Sequence, residues 1–374
     1  MPSAAIFSPG LHLSPPNRLS AVRIVILTAH TGGAHTSLAM ALAAQLEEES
    51  TTIRISTTAT AGTLNMLPEV YSYIVTRLPV VWALYYYGRK LPLLRALNRA
   101  IVRTALPPRL ATGEADADLA IVIQPMYCSY INDLKRVASH VIVMPTDLFD
   151  GPREWFAPDA NLYVVASQHM RARARSADIP DSRIMIRRLP TGLPVSDAIK
   201  SVPRFAPPHI LVVGGADGVG PIRSVTSGLC NARCRPVLTV ACGNNQKLAS
   251  SICRDFPKVR ALPFSPQLAN TFHQYDLIVT KPGSLTIQEA TDTGVPFVLM
   301  PGIPGLETPT KYICQQLGIP LILDARSARA LLDKLIDRSG LPLPGWRDLI
   351  NTYTLFRNML PSKSFSLDDL RKSI

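Results

Sequence analysis

The stretch "HILVVGGADGVGPIRSVTSGLC", His209–Cys230, decides the fold. Ile210–Val213 is a run of β-branched and aliphatic residues of strand length, with no polar alternation, as expected of a strand buried on both faces. Gly214, Gly215, Gly218 and Gly220 then form a loop, and Pro221 suits the first turn of a helix. Such a loop exposes backbone N–H groups at a helix start, where the helix dipole adds partial positive charge. It suits a diphosphate cradle, or a tight strand-to-helix turn with no ligand. The pattern does not match Gly-x-Gly-x-x-Gly with an acidic residue about 20 positions on, which argues against a dinucleotide site.

The same strand–glycine–helix pattern occurs near the N-terminus, in "RIVILTAHTGGAHTSLAMALAA", Arg23–Ala44. Further apolar runs at 119–123, 140–145 and 162–167 follow the first copy. "RPVLTVAC", "LIVT" and "PFVLM" follow the second, with helical patterns such as Ser284–Thr293 between them. Strands alternating with helices imply parallel sheets joined by right-handed crossovers. The expected architecture is α/β: two Rossmann-like domains, 23–195 and 209–340, facing each other across a cleft. A polar, Pro-rich linker at 196–208 joins them, and a helical segment at 341–374 follows and is expected to pack back on the first domain.

The chain has 374 residues and a formal net charge of +12. The excess is spread over both halves, with 20 basic against 15 acidic residues in 1–200 and 19 against 12 in 201–374. An acidic partner is implied: a nucleotide, a nucleic acid or an anionic membrane. Six cysteines show no Cys-x-x-Cys or zinc spacing and are expected to be reduced thiols. Residues 1–22 are Ser- and Pro-rich, carry no acidic residue and lack the apolar core of a secretory signal. They are expected to be a flexible terminus, the alternative being a short organellar targeting segment. No run is long and apolar enough for a spanning helix.

Residues 71–109 hold seven basic and no acidic residues. Six aromatics crowd 71–87, among them Trp82 and Tyr85, and Arg95, Arg99 and Arg103 recur every four residues. Aromatics beside a basic amphipathic helix suit the boundary of an anionic membrane; a core helix with a solvated arginine face is the alternative.

The most specific stretch is "YDLIVTKPGSLTIQEATDTGVPFVLMPGIPGLETPT", Tyr275–Thr310. It resembles the nucleotide-sugar half of the two-domain (GT-B) glycosyltransferases related to monogalactosyldiacylglycerol synthase, the processive diacylglycerol glucosyltransferases and the lipid-linked N-acetylglucosaminyltransferase of peptidoglycan synthesis. The family's Gly-x-x-Thr-x-x-Glu turn reads Gly283–Glu289 here, and its Pro-Gly-x-Glu loop reads Pro304–Glu307. "VACGNNQKLASSI" resembles the family's Cys-Gly-x-Asn segment, and "TDLFDGPREWF" its Thr-Asp-Leu segment before a Trp-Phe pair. "TAHTGGAH" resembles the Thr-Gly-Gly-Gly-His loop of the diacylglycerol branch.

This resemblance implies an inverting, metal-independent transfer of a hexose, galactose or glucose, from a UDP-sugar to a lipid hydroxyl, most readily that of diacylglycerol, with no cofactor and no nucleic-acid partner. It implies a peripheral protein on the cytoplasmic face of a membrane. It makes His35 the general base, with Gly32 and Gly33 letting the acceptor approach the backbone. On the UDP-sugar side it implies Gly214, Gly215, Gly218, Gly243, Asn245, Gly283, Ser284 and Thr286. Phe264 would lie at the uracil, Glu289 at the ribose hydroxyls, and Glu307 and Thr308 at the sugar. His30 stands where the family usually has an acidic residue. Rival readings are a hydrophobic natural product or another lipid as acceptor, a nucleotide-sugar epimerase, and an inactive nucleotide-sugar binder.

Overall fold

The computed structural model describes residues 22–28, 33–47, 51–57, 73–74, 78–88, 91, 93–94, 96, 117–156 and 159–373. The expected Arg95, Arg99, Arg103, His30 and Gly32 lie outside these residues.

Two parallel sheets organise the chain. The first contains β1 (Val22–Thr28), β2 (Thr51–Thr57), β3 (Ala117–Val122), β4 (Ala138–Val143), β5 (Leu162–Val165) and β6 (Ile184–Ile186), in the order β2-β1-β3-β4-β5-β6. The second contains β7 (His209–Val213), β8 (Val237–Gly243), β9 (Arg260–Pro263), β10 (Leu277–Thr280) and β11 (Phe297–Leu299), in the order β11-β10-β7-β8-β9. Every pairing within them is parallel.

The unbroken apolar runs have a direct cause. Ile24 and Ile26 enter one core while Val25 and Leu27 enter another on the opposite face of the sheet. Leu211 and Val213 of β7 divide in the same way from Ile210 and Val212. A strand covered on both sides has no face left for polar residues.

The two halves share one core. Phe149 of the first half lies 5.7 Å, ring to ring, from Phe356 on a helix at Pro344–Asn358, and Phe356 lies 5.3 Å from Phe297 on β11. Arg188, just past β6, forms a buried ion pair with Asp292 in the second half; Thr191 and Gln288 donate to the same carboxylate at 2.6 and 2.7 Å. Arg187 pairs with Asp369 of the last helix, Leu367–Ser373, which ties the C-terminal segment to the first half.

Both sheets reverse winding at their first strand. In the first, the chain moves outward from β1 to β2 and then crosses back to β3. In the second it runs from β7 through β8 to β9 and crosses back to β10. Crevices therefore open beyond the C-terminal ends of β1/β3 and of β7/β10, where ligands bind in sheets of this kind.

Candidate active site

Helix α1, Gly33–Leu46, starts in the first crevice and presents His35 in its first turn. His35 Nδ1 lies 3.0 Å from the carbonyl oxygen of Ile123, just past β3. A carbonyl only accepts, so Nδ1 carries the proton and Nε2 the lone pair. Burial lowers the imidazole pKa to about 4, partly opposed by the Ile123 carbonyl, so the ring is neutral at physiological pH.

His35 shares one cleft with the second crevice. The walls include Thr146, Asp147 and Trp155 from the first half, and Gly214, Gly215, Gly243, Phe264, Lys281, Gly283, Ser284, Thr286, Glu289 and Glu307 from the second. The Leu148 N–H donates to Ser284 Oγ at 3.1 Å, a bond between the two halves at a cleft-wall residue.

The glycines of the second half are required by space and backbone angle. Gly243 has φ +60°, and a Cβ there would fall 2.2 Å from the Ala216 carbonyl oxygen. Gly215 has φ +72° and faces Lys281. Gly283 precedes helix α2, Ser284–Asp292, whose first N–H groups open towards the cleft residues. Glu289 sits in the second turn of this helix. Burial, with Asp292 adding like charge, raises its carboxyl to about 8.

Some expected residues stand elsewhere. Gly218 turns away from the cleft, with its Cα side against the Cys242 carbonyl. Asn245 caps the helix Gln246–Asp255, its Oδ1 accepting the Leu248 N–H at 3.0 Å. Thr308 Oγ1 accepts the Gly305 N–H at 3.0 Å and is not on the cleft wall. The structure does not bring these three to the site: helix starts and tight turns leave N–H groups without partners, and their polar atoms or missing side chains serve those local needs. Glu307 does reach the cleft, but is paired with Lys281 and accepts the Ile303 N–H at 2.8 Å. Trp82, expected on a membrane, instead packs against Val219, Ile303 and Leu306 of the second half. Tyr85 is half exposed.

Sequence reasoning assigned no role to Asp147, Trp155 or Lys281. Asp147 Oδ2 accepts the Trp155 indole N–H at 2.7 Å. Burial raises its carboxyl to about 7; the indole opposes this, and Asp150 and Glu307 reinforce it. Within "TDLFDGPREW" the signal was the eight-residue gap that brings Asp147 and Trp155 together, visible only once the loop is folded.

One Asp-x-Asp triplet, the pattern by which many sugar-nucleotide enzymes hold a metal, occurs as Asp116-Ala117-Asp118. Asp118 accepts the Arg23 N–H at 2.8 Å and pairs with its guanidinium at 3.2 Å. It lies at the start of β3, the end opposite Ile123 and the cleft. Asp116 lies outside the described residues.

Two facing Rossmann-like halves with a cleft at both switch points define the GT-B architecture. The chain aligns over 91% of its length with 96% of Acinetobacter baumannii MurG, with a TM-score of 0.52 at 18% identity. It aligns over 94% with 98% of TcCGT1, solved with UDP, with a TM-score of 0.55 at 10% identity.

More particularly, residues 209–304 match the glycosyltransferase family 28 C-terminal domain. The chain is a homologue of the monogalactosyldiacylglycerol synthases and the processive diacylglycerol glucosyltransferases. It is 27% identical to the chloroplastic monogalactosyldiacylglycerol synthase of Spinacia oleracea over 318 residues, 76% of this chain and 60% of that protein. It is 24% identical to the processive diacylglycerol beta-glucosyltransferase of Bacillus pumilus over 323 residues, 81% of this chain and 83% of that protein. The chain thus spans about 60% of the length of the plant relatives it matches.

Proposed function

We propose that this protein is an inverting glycosyltransferase that moves a hexose from a UDP-sugar to the hydroxyl of a diacylglycerol-type lipid. The observation that carries the reading is the pairing, across one cleft, of a neutral, oriented imidazole at His35 with a glycine-walled backbone cradle and Glu289. The homologues named as diacylglycerol glycosyltransferases support the acceptor class.

The chemistry follows from these groups. The lipid hydroxyl attacks the anomeric carbon from the His35 side as the bond from that carbon to the diphosphate oxygen breaks. Nε2 takes the hydroxyl proton, a general-base role that suits a neutral histidine. The leaving diphosphate gathers negative charge, which in this reading is stabilised by N–H groups at Gly214–Gly215 and at the start of α2. Glu289, once ionised, accepts two ribose hydroxyls, a role that suits an acceptor-only carboxylate. Attack opposite the leaving group inverts the anomeric centre.

The acceptor's route is supported by the helix Pro79–Gly88. Val80 and Leu84 are each 71% exposed, and Leu91, Leu93 and Leu94 are exposed nearby. Such a patch suits insertion at a lipid headgroup boundary, while Trp82 on the same helix touches the second half. Among the described residues no helix is long and apolar enough to cross a membrane.

The test is UDP release from UDP-galactose or UDP-glucose supplied with diacylglycerol in anionic vesicles. Release that depends on the lipid supports the reading. No release above the rate without acceptor contradicts it.

A further inference from the structure

The Lys281–Glu307 ion pair is buried in the donor half of the cleft, with side chains 15% and 8% exposed. Three glycines wall it. A Cβ on Gly215 would lie 2.7 Å from Lys281 Cε, one on Gly283 3.0 Å from Lys281 Nζ, and one on Gly302 2.0 Å from Glu307 Oε2. The ammonium thus stands between the glycine loop after β7 and the start of α2, the two backbone cradles whose N–H groups suit an anion. A buried ion pair contributes little net stability, because desolvation offsets the attraction. Its seat between two anion cradles calls for another reason.

We infer that Lys281 is a diphosphate-binding residue held in reserve by Glu307, and that donor binding exchanges the partners. The diphosphate takes the ammonium, and Glu307 Oε1 is released to accept hydroxyls of the sugar. Glu307 keeps its place because Oε2 stays bonded to the Ile303 N–H. The ion pair thereby keeps the cleft neutral at this point, and the carboxylate is offered to a sugar only when a diphosphate arrives with it. This deepens the nucleotide-sugar reading above and rests on it.

The exchange predicts opposite signs for the two partners of one ion pair. Calorimetry with UDP and with uridine, on the full chain, reads this directly. Lys281→Met should weaken UDP by about 10- to 100-fold, the range for a charge-assisted hydrogen bond, and leave uridine within about twofold. Glu307→Gln should strengthen UDP by about three- to tenfold, because the phosphate no longer competes with a carboxylate for the ammonium. The double variant, Lys281→Met with Glu307→Gln, leaves no unpaired buried charge and should show the UDP loss of Lys281→Met; uridine binding reports that its site is folded. A pair that only braces the fold would lower UDP and uridine affinity together in both single variants, and that result overturns the exchange. So does UDP affinity unchanged in Lys281→Met. If the wild-type chain binds neither ligand, the nucleotide-sugar reading itself fails; if it binds both and the signs are wrong, only the exchange fails.

Discussion

The chain uses strand, glycine loop and helix twice, and the two copies do different work. After β7 the loop brings Gly214, Gly215 and Ala216 to the cleft with one titratable side chain, Asp217; Gly215, and Gly243 at the end of β8, have positive φ and leave backbone uncovered there. After β1 the helix starts with an imidazole tied to the Ile123 carbonyl. In the proposed function one copy reads the diphosphate with the backbone, which is the same for every residue type, and the other acts through one side chain. A backbone site is fixed by where a Cβ is forbidden, whereas a side-chain site is fixed by what is near it. The two halves should therefore fail differently when altered.

The largest effect belongs to the side-chain copy. His35→Ala should lower turnover by about 10²- to 10⁴-fold, the range for a general base, while UDP affinity measured by calorimetry stays the same. Equal loss of both would merge the two copies into one structural unit. Against the backbone copy, Gly243→Ala at the end of β8 should destabilise the fold by roughly 1–3 kcal/mol from left-handed strain alone, with a further cost because its Cβ would meet the Ala216 carbonyl of the loop, and weaken UDP with it. Thermal unfolding beside a UDP titration checks this. Full retention of both would show that the loop tolerates a side chain.

The acceptor side yields a further contrast. Replacing Val80 and Leu84 with Ser should weaken flotation with anionic vesicles about tenfold, from the lost apolar burial, and leave UDP binding alone. Arg95, Arg99 and Arg103 changed together to Gln should weaken it only at low salt, because exposed charges are screened. Flotation of wild type that fails at low salt would remove the bilayer as the source of the acceptor.

The smallest effect concerns protons. Burial, with Asp292 adding like charge, raises the Glu289 carboxyl to about 8. In the proposed complex, ribose hydroxyls favour its charged form, so UDP binding at pH 7 should release a proton. Affinity should then rise by about three- to tenfold from pH 7 to 8.5 and level off above, since a pKa unit corresponds to a factor of ten. In Glu289→Gln that rise should be lost, leaving at most the effect of Asp147, whose carboxyl burial raises to about 7. A flat profile in the wild type would mean that the carboxyl does not change state on binding.

Much of the fold was legible in sequence because burial on both faces leaves an unbroken apolar run. "LIVT" at 277–280 coincides with β10, and "LYVV" opens the run that became β5. Two of the edge strands were not legible, unlike β11, whose apolar run "PFVLM" stands out. β2, "TTIRIST", is largely polar, and β9, "RALP", is short and ends in proline. In the site, glycines and Glu289 could be placed by motif. Asn245 and Thr308 matched by position, yet the structure uses them to satisfy helix and turn N–H groups. Lys281 lay in plain view between a strand and a glycine, but its value depends on Glu307, 26 residues away, and on three glycines that make room for the pair. Contacts between halves, such as Leu148 to Ser284 or Arg188 to Asp292, have no trace in local pattern.

The central claim is that the acceptor hydroxyl attacks from the His35 side, opposite the diphosphate cradle. The proton NMR spectrum of the glycolipid formed from an α-linked UDP-hexose tests it most directly. The large anomeric coupling of a β-linked hexose is the predicted result. An α-linked product would place attack and departure on one face and contradict the account.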